Sequence, residues 1–303
     1  RQRQMCIRDR PILCETGKQV GKDFFLAFSP ERIDPGNKKY TVENTPIVVG
    51  GVTKNCTMLA KLFYETLGLK VTPVSSPRVA EMTKLLENTF RNVNIALVNE
   101  LAQLCERMGI DVWEVIDAAS TKPFGYMPFY PGPGVGGHCI PIDPYYLFWK
   151  AQEYDFHTSF IELSARINEN MPYYVKEKII EALSESGKCP AQCSILILGI
   201  TFKRDVEDLR DSPALKLIEI LEGSVRNIDY HDPYVKKFGE KASVELTSSM
   251  LKKYDCVVIT TDHSCVDYRF VVEHANLIID TRNATKGIVS EKIYKLGAPR
   301  IKT

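Results

Sequence analysis

The chain carries almost no net charge, with 39 Lys and Arg against 38 Asp and Glu. A balance of that kind gives no overall field to draw in nucleic acid or an anionic membrane, although local phosphate pockets remain compatible with it. No apolar run approaches the ~20 residues a membrane span needs, and the first ten residues, RQRQMCIRDR, lack the apolar core of a secretory signal. The nine cysteines, an odd number running from Cys6 to Cys265, form neither a disulfide framework nor a zinc spacing; Cys189 and Cys193 are a lone CxxxC. Five histidines are present and no two stand at i, i+4, which argues against a metal-dependent hydrolase. What these absences leave is a protein of the reducing cytoplasm with no nucleic-acid or membrane partner and no metal. Its 303 residues, 44% hydrophobic, suffice for two or three packed units.

The most informative stretch is Gly132 to Leu147, GPGVGGHCIPIDPYYL. Four glycines, Gly132, Gly134, Gly136 and Gly137, allow close backbone approach, while Pro133, Pro141 and Pro144 stiffen the loop. A rigid loop can present the sulfur of Cys139, and Asp143 follows four residues later. The same residues satisfy G-x-G-x-x-G, but that fingerprint needs a strand before it and a helix opening inside it. The flanking prolines argue against both, so a dinucleotide turn is rejected here. On this loop alone Cys139 reads more readily as a small buried hydrophobe, the commonest fate of an intracellular cysteine, than as a nucleophile.

Elsewhere the pattern is α/β. From Asp23 to Pro73 it runs strand (DFFLAF), polar loop, strand (PIVVGG), amphipathic helix from Lys54 to Leu67 capped by Gly68, and strand (KVTPV). Apolar strands of this kind normally sit in a parallel sheet covered on both faces, and some fifty residues cannot supply that cover. The expected domain is therefore a truncated Rossmann-like remnant over residues 11–74, preceded by an unstructured or foreign tail, 1–10. Ser75-Ser76-Pro77 opens a long helix closed by Gly109, about 45 Å long. Lys84 and Asn88 stand one turn apart on its polar face, a pair that reads as a solvated face unless a ligand meets it. With a further helical region from Tyr145 to Lys188, interrupted near His157 and at Pro172, this makes a central long-helix domain, 75–188. Residues 189–303 alternate strands (SILILGI, VRNIDYHD, CVVITTD, LIIDTRN) with helices, the pattern of a doubly wound parallel sheet. Lys203, Arg204, Arg210, Asp262 and Arg282 fall beyond the carboxyl ends of those strands, where such sheets bind ligands, and the lysine and arginines among them suit a diphosphate.

Five segments, FFLAFSPERIDPG, AEMTKLLENTFRNVNIALVNELA, GPGVGGHCIPIDPYYL, LGITFKRDVEDLRDSPA and DTRN, resemble in order and spacing the UDP-glucose/GDP-mannose dehydrogenase family of nucleotide-sugar 6-dehydrogenases. The resemblance runs from about Pro11 to the C-terminus. It implies oxidation of a UDP-sugar C6 alcohol to a carboxylate with two NAD+, by a homodimer or higher oligomer. Cys139 resembles the nucleophile, Lys84 and Asn88 the pair that binds the reacting oxygen, Asp143 the carboxylate that orders water, and Glu31 the acid assisting thioester hydrolysis. Phe129, Tyr130, Gly136, Lys203 and Arg282 resemble substrate contacts, and Arg210 a residue reaching the cofactor; Lys122 stays unassigned. HCIPIDPYYL is most similar to the branch acting on UDP-N-acetylhexosamines, UDP-N-acetylglucosamine ahead of its mannosamine epimer. The family's opening strand–GxGxxG–helix unit has no match, so the chain is expected to be a fragment that is inactive alone. The alternative is a non-catalytic nucleotide-sugar-binding or dimerising module.

Overall fold

The structure, a computed structural model, describes residues 9–15, 17–34, 37 and 39–300. Most of the expected tail, residues 1–8, lies outside them, while Arg10 opens the short helix α1 (Arg10–Cys14) with Pro11 in its first turn. Two compact units divide at Asn88 and Thr89.

In the first unit, β1 (Ala27–Phe28), β2 (Ile47–Gly51) and β3 (Val71–Val74) form a three-stranded sheet in that order. β2 pairs with β3 in parallel, but β1 runs antiparallel to β2, with Ala27 opposite Gly51. Only two residues of DFFLAF join the ladder. Helix α2 (Lys54–Thr66) crosses between β2 and β3; Thr53 caps it by accepting from the Cys56 amide at 3.2 Å, and Gly68 ends it at φ 77°. Cys56 is its one buried residue, and Met58, Leu59, Leu62, Phe63 and Leu67 stay exposed, so the small sheet does not cover the apolar side of its own helix.

Helix α3 (Pro77–Met108) begins where Ser76 Oγ accepts from the Val79 amide and ends at Gly109, φ 71°. At 32 residues it spans about 48 Å. The second unit takes its stretch from Thr89 and adds α4 (Val112–Ala119), α5 (Asp143–Gln152) and α6 (Ser159–Glu185). Helix α4 was not read from the sequence; Asp111 caps it through the Trp113 amide. α6 runs unbroken through Pro172, contrary to the expected interruption. A proline inside a helix costs about 3 kcal/mol, and the burial of Met171, Pro172, Val175 and Ile179 on that face offsets it.

The rest is a five-stranded parallel sheet built from β4 (Ser194–Leu198), β5 (Asn227–His231), β8 (Cys256–Ile259), β9 (Ile278–Asp280) and β10 (Ile293–Lys295), in the order β10-β9-β8-β4-β5. Helices α7 (Pro213–Leu221), α8 (Ser248–Lys253) and α9 (Tyr268–His274) make the crossovers, and a small hairpin, β6 (Lys237–Phe238) with β7 (Lys241–Ala242), follows β5. One face packs on α6 and α7 through Ile195, Ile197, Val258, Leu217 and Ile179; the other packs on α8 and α9 through Leu196, Val257, Leu251 and Val271. Such two-sided cover explains why these strands read as unbroken apolar runs. The chain leaves β4 toward β5 and returns to β8 on its other side, so the switch point lies at the carboxyl ends of β4 and β8.

Candidate active site

The glycine-rich loop of the second unit is held against the sheet at that switch point. A Cβ on Gly136 would lie 2.6 Å from Phe202 Cβ and 2.8 Å from the Asp211 carbonyl, and one on Gly132 would lie 2.5 Å from Arg282 Nη1. The Gly137 amide, at φ 82°, donates to the Arg210 carbonyl at 2.9 Å. These glycines are there because the loop threads between the β4–α7 segment and Arg282 with no room for side chains. Beyond Cys139 the chain turns into α5: the Asp143 amide donates to the Cys139 carbonyl at 2.8 Å, and Asp143 supplies the acid of the helix's first turn. No strand precedes the glycines and no helix opens among them, in keeping with a loop that is not a dinucleotide turn.

Charge gathers around the thiol. Arg210 binds Asp208 through Nε, at 3.0 and 3.1 Å, and Nη2, at 2.5 Å, a fork that raises the guanidinium pKa and holds Asp208 below the usual carboxylate range. His138 adds to the depression of Asp208 and Cys139 to the elevation of Arg210, so all four groups share one electrostatic neighbourhood. Cys139 itself is half-buried.

Next to this, Arg282 donates from Nε to the Thr260 carbonyl at 2.9 Å, while its backbone amide binds Asp280 Oδ1 at 3.0 Å. Burial, with Arg204 nearby, pushes its pKa down to about 10, which still leaves it charged at neutral pH. Arg204 pairs with Asp262, and Lys203 is half-buried in the same β4–α7 segment, whose Asp205 and Asp211 take positive φ, 59° and 47°. Phe129 packs edge-on against Phe90, 5.7 Å between centroids, and Tyr130 stacks on Trp113 at 5.9 Å, so the loop before the glycines is anchored by aromatic contacts. Exposed Lys122 lies 5.0 Å over the Phe124 ring.

The other sequence-derived residues belong to the first unit. Lys84 is half-buried and Asn88 buried, one turn apart on α3 as the spacing requires. Exposed Glu31 accepts from the Ile33 amide at 2.7 Å, and neighbouring Arg32 bridges to Glu87 at 2.7 Å.

The sequence reading missed several buried polar groups. Asn92, Asn99 and Asn168 join α3, α6 and the loop; their one signal was asparagine on apolar helix faces. His263 sits beneath the switch point. It accepts at Nδ1 from the Asp205 amide, 3.1 Å, which leaves Nε2 to carry the proton toward Asp232 Oδ2, also 3.1 Å.

A pyrophosphate cradle is not formed by the described residues. The turn from β2 into α2, Gly50 to Thr53, has the right order of elements, but the Gly51 amide already binds Thr57 Oγ1 and the Val52 amide the Leu26 carbonyl. No group of three or more His, Cys, Asp or Glu able to hold a metal occurs among the described residues, and no helix there is long and apolar enough to cross a membrane.

Residues 78–170 match the central domain of the UDP-glucose/GDP-mannose dehydrogenase family and residues 196–287 match its UDP-binding domain, in the order seen here. The fold agrees over nearly the whole chain: a UDP-D-ManNAc dehydrogenase structure from Pyrococcus horikoshii superposes with a TM-score of 0.86 at 34% identity, covering 97% of this chain and 70% of that one. The chain belongs to the UDP-glucose/GDP-mannose dehydrogenase family. Among curated relatives, a UDP-N-acetyl-D-mannosamine dehydrogenase of P. horikoshii is 38% identical, covering 89% of this chain. A UDP-N-acetyl-D-glucosamine 6-dehydrogenase of Salmonella typhi is 36% identical, covering 84%. The chain spans 64% of the first relative's length and 60% of the second's.

Proposed function

We propose that this family member belongs to an enzyme that oxidises the C6 alcohol of a UDP-N-acetylhexosamine to the carboxylate, with Cys139 as nucleophile. The observation that carries the reading is the loop itself. It carries a half-buried thiol two residues past Gly137, whose amide binds the Arg210 carbonyl, and packs its glycines against Arg282 and Phe202, at the sheet end where nucleotides bind.

Lys203 and Arg282 would hold the diphosphate, Arg282 as a bidentate fork, with Phe129, Tyr130 and the Gly136 backbone lining the nucleotide and sugar. Lys84 and Asn88 would stabilise the C6 oxygen as its proton leaves. Cys139 Sγ would add to the aldehyde carbon, giving a thiohemiacetal that a second oxidation turns into a thioester. Water would then cleave the thioester and free the thiol, Asp143 and Glu31 being the carboxylates that order and activate it. NAD+ supplies the hydride acceptor, two molecules per substrate. The described residues lack its pyrophosphate cradle, so this 303-residue chain alone turns over negligibly. The two named relatives differ in sugar epimer at nearly equal identity; UDP-N-acetylglucosamine remains the first substrate to assay, with the mannosamine epimer beside it.

The subunit reading rests on α3. Within the second unit its Phe90, Leu97, Leu101, Leu104 and Met108 form an exposed apolar stripe, which suits a helix pairing with a second copy. The test of function is thiol labelling. Cys139 should alkylate more slowly in the presence of either UDP-N-acetylhexosamine, and Cys139→Ser should abolish that protected signal without weakening UDP binding. A thiol indifferent to UDP-sugars would instead favour the non-catalytic binding or dimerising module.

A further inference from the structure

We propose that Asn92, Asn99 and Asn168 are positioning residues that fix the glycine-rich loop at both ends and so set the place of Cys139; the inference rests on the nucleophile reading above. Four hydrogen bonds run in series through the interior. The Gly132 amide donates to Asn99 Oδ1 at 2.9 Å, and Asn99 Nδ2 donates to Asn168 Oδ1 at 2.9 Å. Asn168 Nδ2 donates to Asn92 Oδ1 at 2.5 Å, with the Asn92 carbonyl a further acceptor at 3.1 Å, and Asn92 Nδ2 donates to the Ile140 carbonyl at 3.1 Å. The three side chains are 0%, 5% and 2% exposed for Asn99, Asn168 and Asn92.

The direction of the series is not a matter of choice. A backbone N–H can only donate and a carbonyl can only accept, so Gly132 at one end and Ile140 at the other dictate which atom of every amide is oxygen and which is nitrogen. Turning any single amide would set oxygen against oxygen or NH₂ against NH₂ at both of its junctions. Each side chain thus has one permitted orientation, and all three are fixed together. The two ends are not random points. Gly132 enters the glycine loop and Ile140 directly follows Cys139. The loop has no regular secondary structure to satisfy its own backbone groups, so it borrows partners from α3 and α6. On its other side the Gly137 amide is anchored to Arg210. Cys139 is therefore suspended between two fixed supports, one in the helical layer and one at the sheet.

The test uses the 303-residue chain without ligand. Asn168→Asp keeps the shape and the acceptor toward Asn99 but removes the donor toward Asn92. Asn92→Ala is the milder variant: it removes the last link to Ile140 and the Oδ1 that accepts from Asn168, but leaves Asn168 Nδ2 its bond to the Asn92 carbonyl. Asn94→Ala is the control: its amide binds the Phe90 carbonyl one turn back, outside the series. Alkylation of each cysteine is followed by peptide mass spectrometry, with exposed Cys189 and Cys265 as internal references and buried Cys193 and Cys256 as reporters of global opening. Amide exchange is measured in parallel over residues 132–143 and over β4 and β8.

In both variants, exchange of the loop should rise about tenfold while β4 and β8 hold, and alkylation of Cys139 relative to Cys189 and Cys265 should rise about threefold or more. A purely structural role would open Cys193, Cys256 and the strands together with the loop, and that result would overturn the proposal. So would loop exchange and relative Cys139 labelling within about twofold of the parent. If Asn168→Asp fails to fold, Asn92→Ala decides alone. Because no UDP-sugar is present, a thiol later found indifferent to substrate would sink the functional reading and leave the loop result standing.

Discussion

Replacing Gly136 by Ala tests how tightly the loop is seated. The residue's φ lies outside the left-handed region, so the backbone itself tolerates alanine, and the whole effect is steric. The new methyl would stand 2.6 Å from Phe202 Cβ, 2.8 Å from the Asp211 carbonyl and 2.9 Å from Pro213 Cδ. None of these is the free end of a flexible side chain. Asp211 is held at φ 47°, Pro213 opens α7, and the Phe202 amide is bonded to the Asp208 carbonyl. The loop must therefore move, at the usual overpacking cost of about 1–3 kcal/mol. In a unit of this size that lowers the melting temperature by about 2–12 °C. Calorimetry reads the loss, and alkylation of Cys139 reads the displacement, which should exceed any change at Cys265. Gly132→Ala is the contrasting case: its methyl meets only the end of Arg282, at 2.5 Å from Nη1, so it should spare the fold and weaken UDP binding. A Gly136→Ala protein that melts within about 1 °C of the parent, with unchanged Cys139 labelling, would refute the close packing on which the site rests.

Glu106 accepts from Lys178, which is 7% exposed, and from the Gly297 amide at 3.1 Å; Glu106→Ala strands the buried ammonium and should cost about 3–5 kcal/mol in urea unfolding. Arg282→Ala should weaken UDP binding about tenfold or more by calorimetric titration, since it removes a charged fork from the sheet end. Stability should also fall in acid. Burial opposes the charge on Asp232 and on Asp255, yet His263 and backbone amides around the first, and Lys188 with the Ser194 amide around the second, hold both below the ordinary aspartate value of 3.8. A depressed folded pKa stabilises above the unfolded value and loses that contribution as pH falls through the folded one, so the loss should appear below about 3.8. Replacing Asp255 with Asn should flatten that part of the stability profile, read by circular dichroism; an unaltered profile would contradict the assignment.

Periodicity and caps alone were enough for much of this molecule. Ser76, Pro77 and Gly109 bounded α3, Pro213 opened α7, and the apolar runs of β4, β8 and β9 announced a covered parallel sheet, because these signals act within a few residues along the chain. Ordered motifs likewise named the family and drew attention to Cys139 and Arg282. Helix α6 could not be read correctly at Pro172, since the burial that outweighs the proline comes from residues far away in sequence. The antiparallel pairing of β1 was hidden for a related reason: strand direction depends on which partner is reached, not on the strand's own residues. The asparagine series was equally invisible. Asn92, Asn99 and Asn168 lie up to 76 positions apart and are ordinary helix residues until α3, α6 and the loop meet. Local sequence thus determined most of the helices and strands and the place of the glycine-rich loop. Only tertiary packing decided which buried donors face which acceptors, because hydrogen-bond direction is settled where separate segments come within 3 Å of one another.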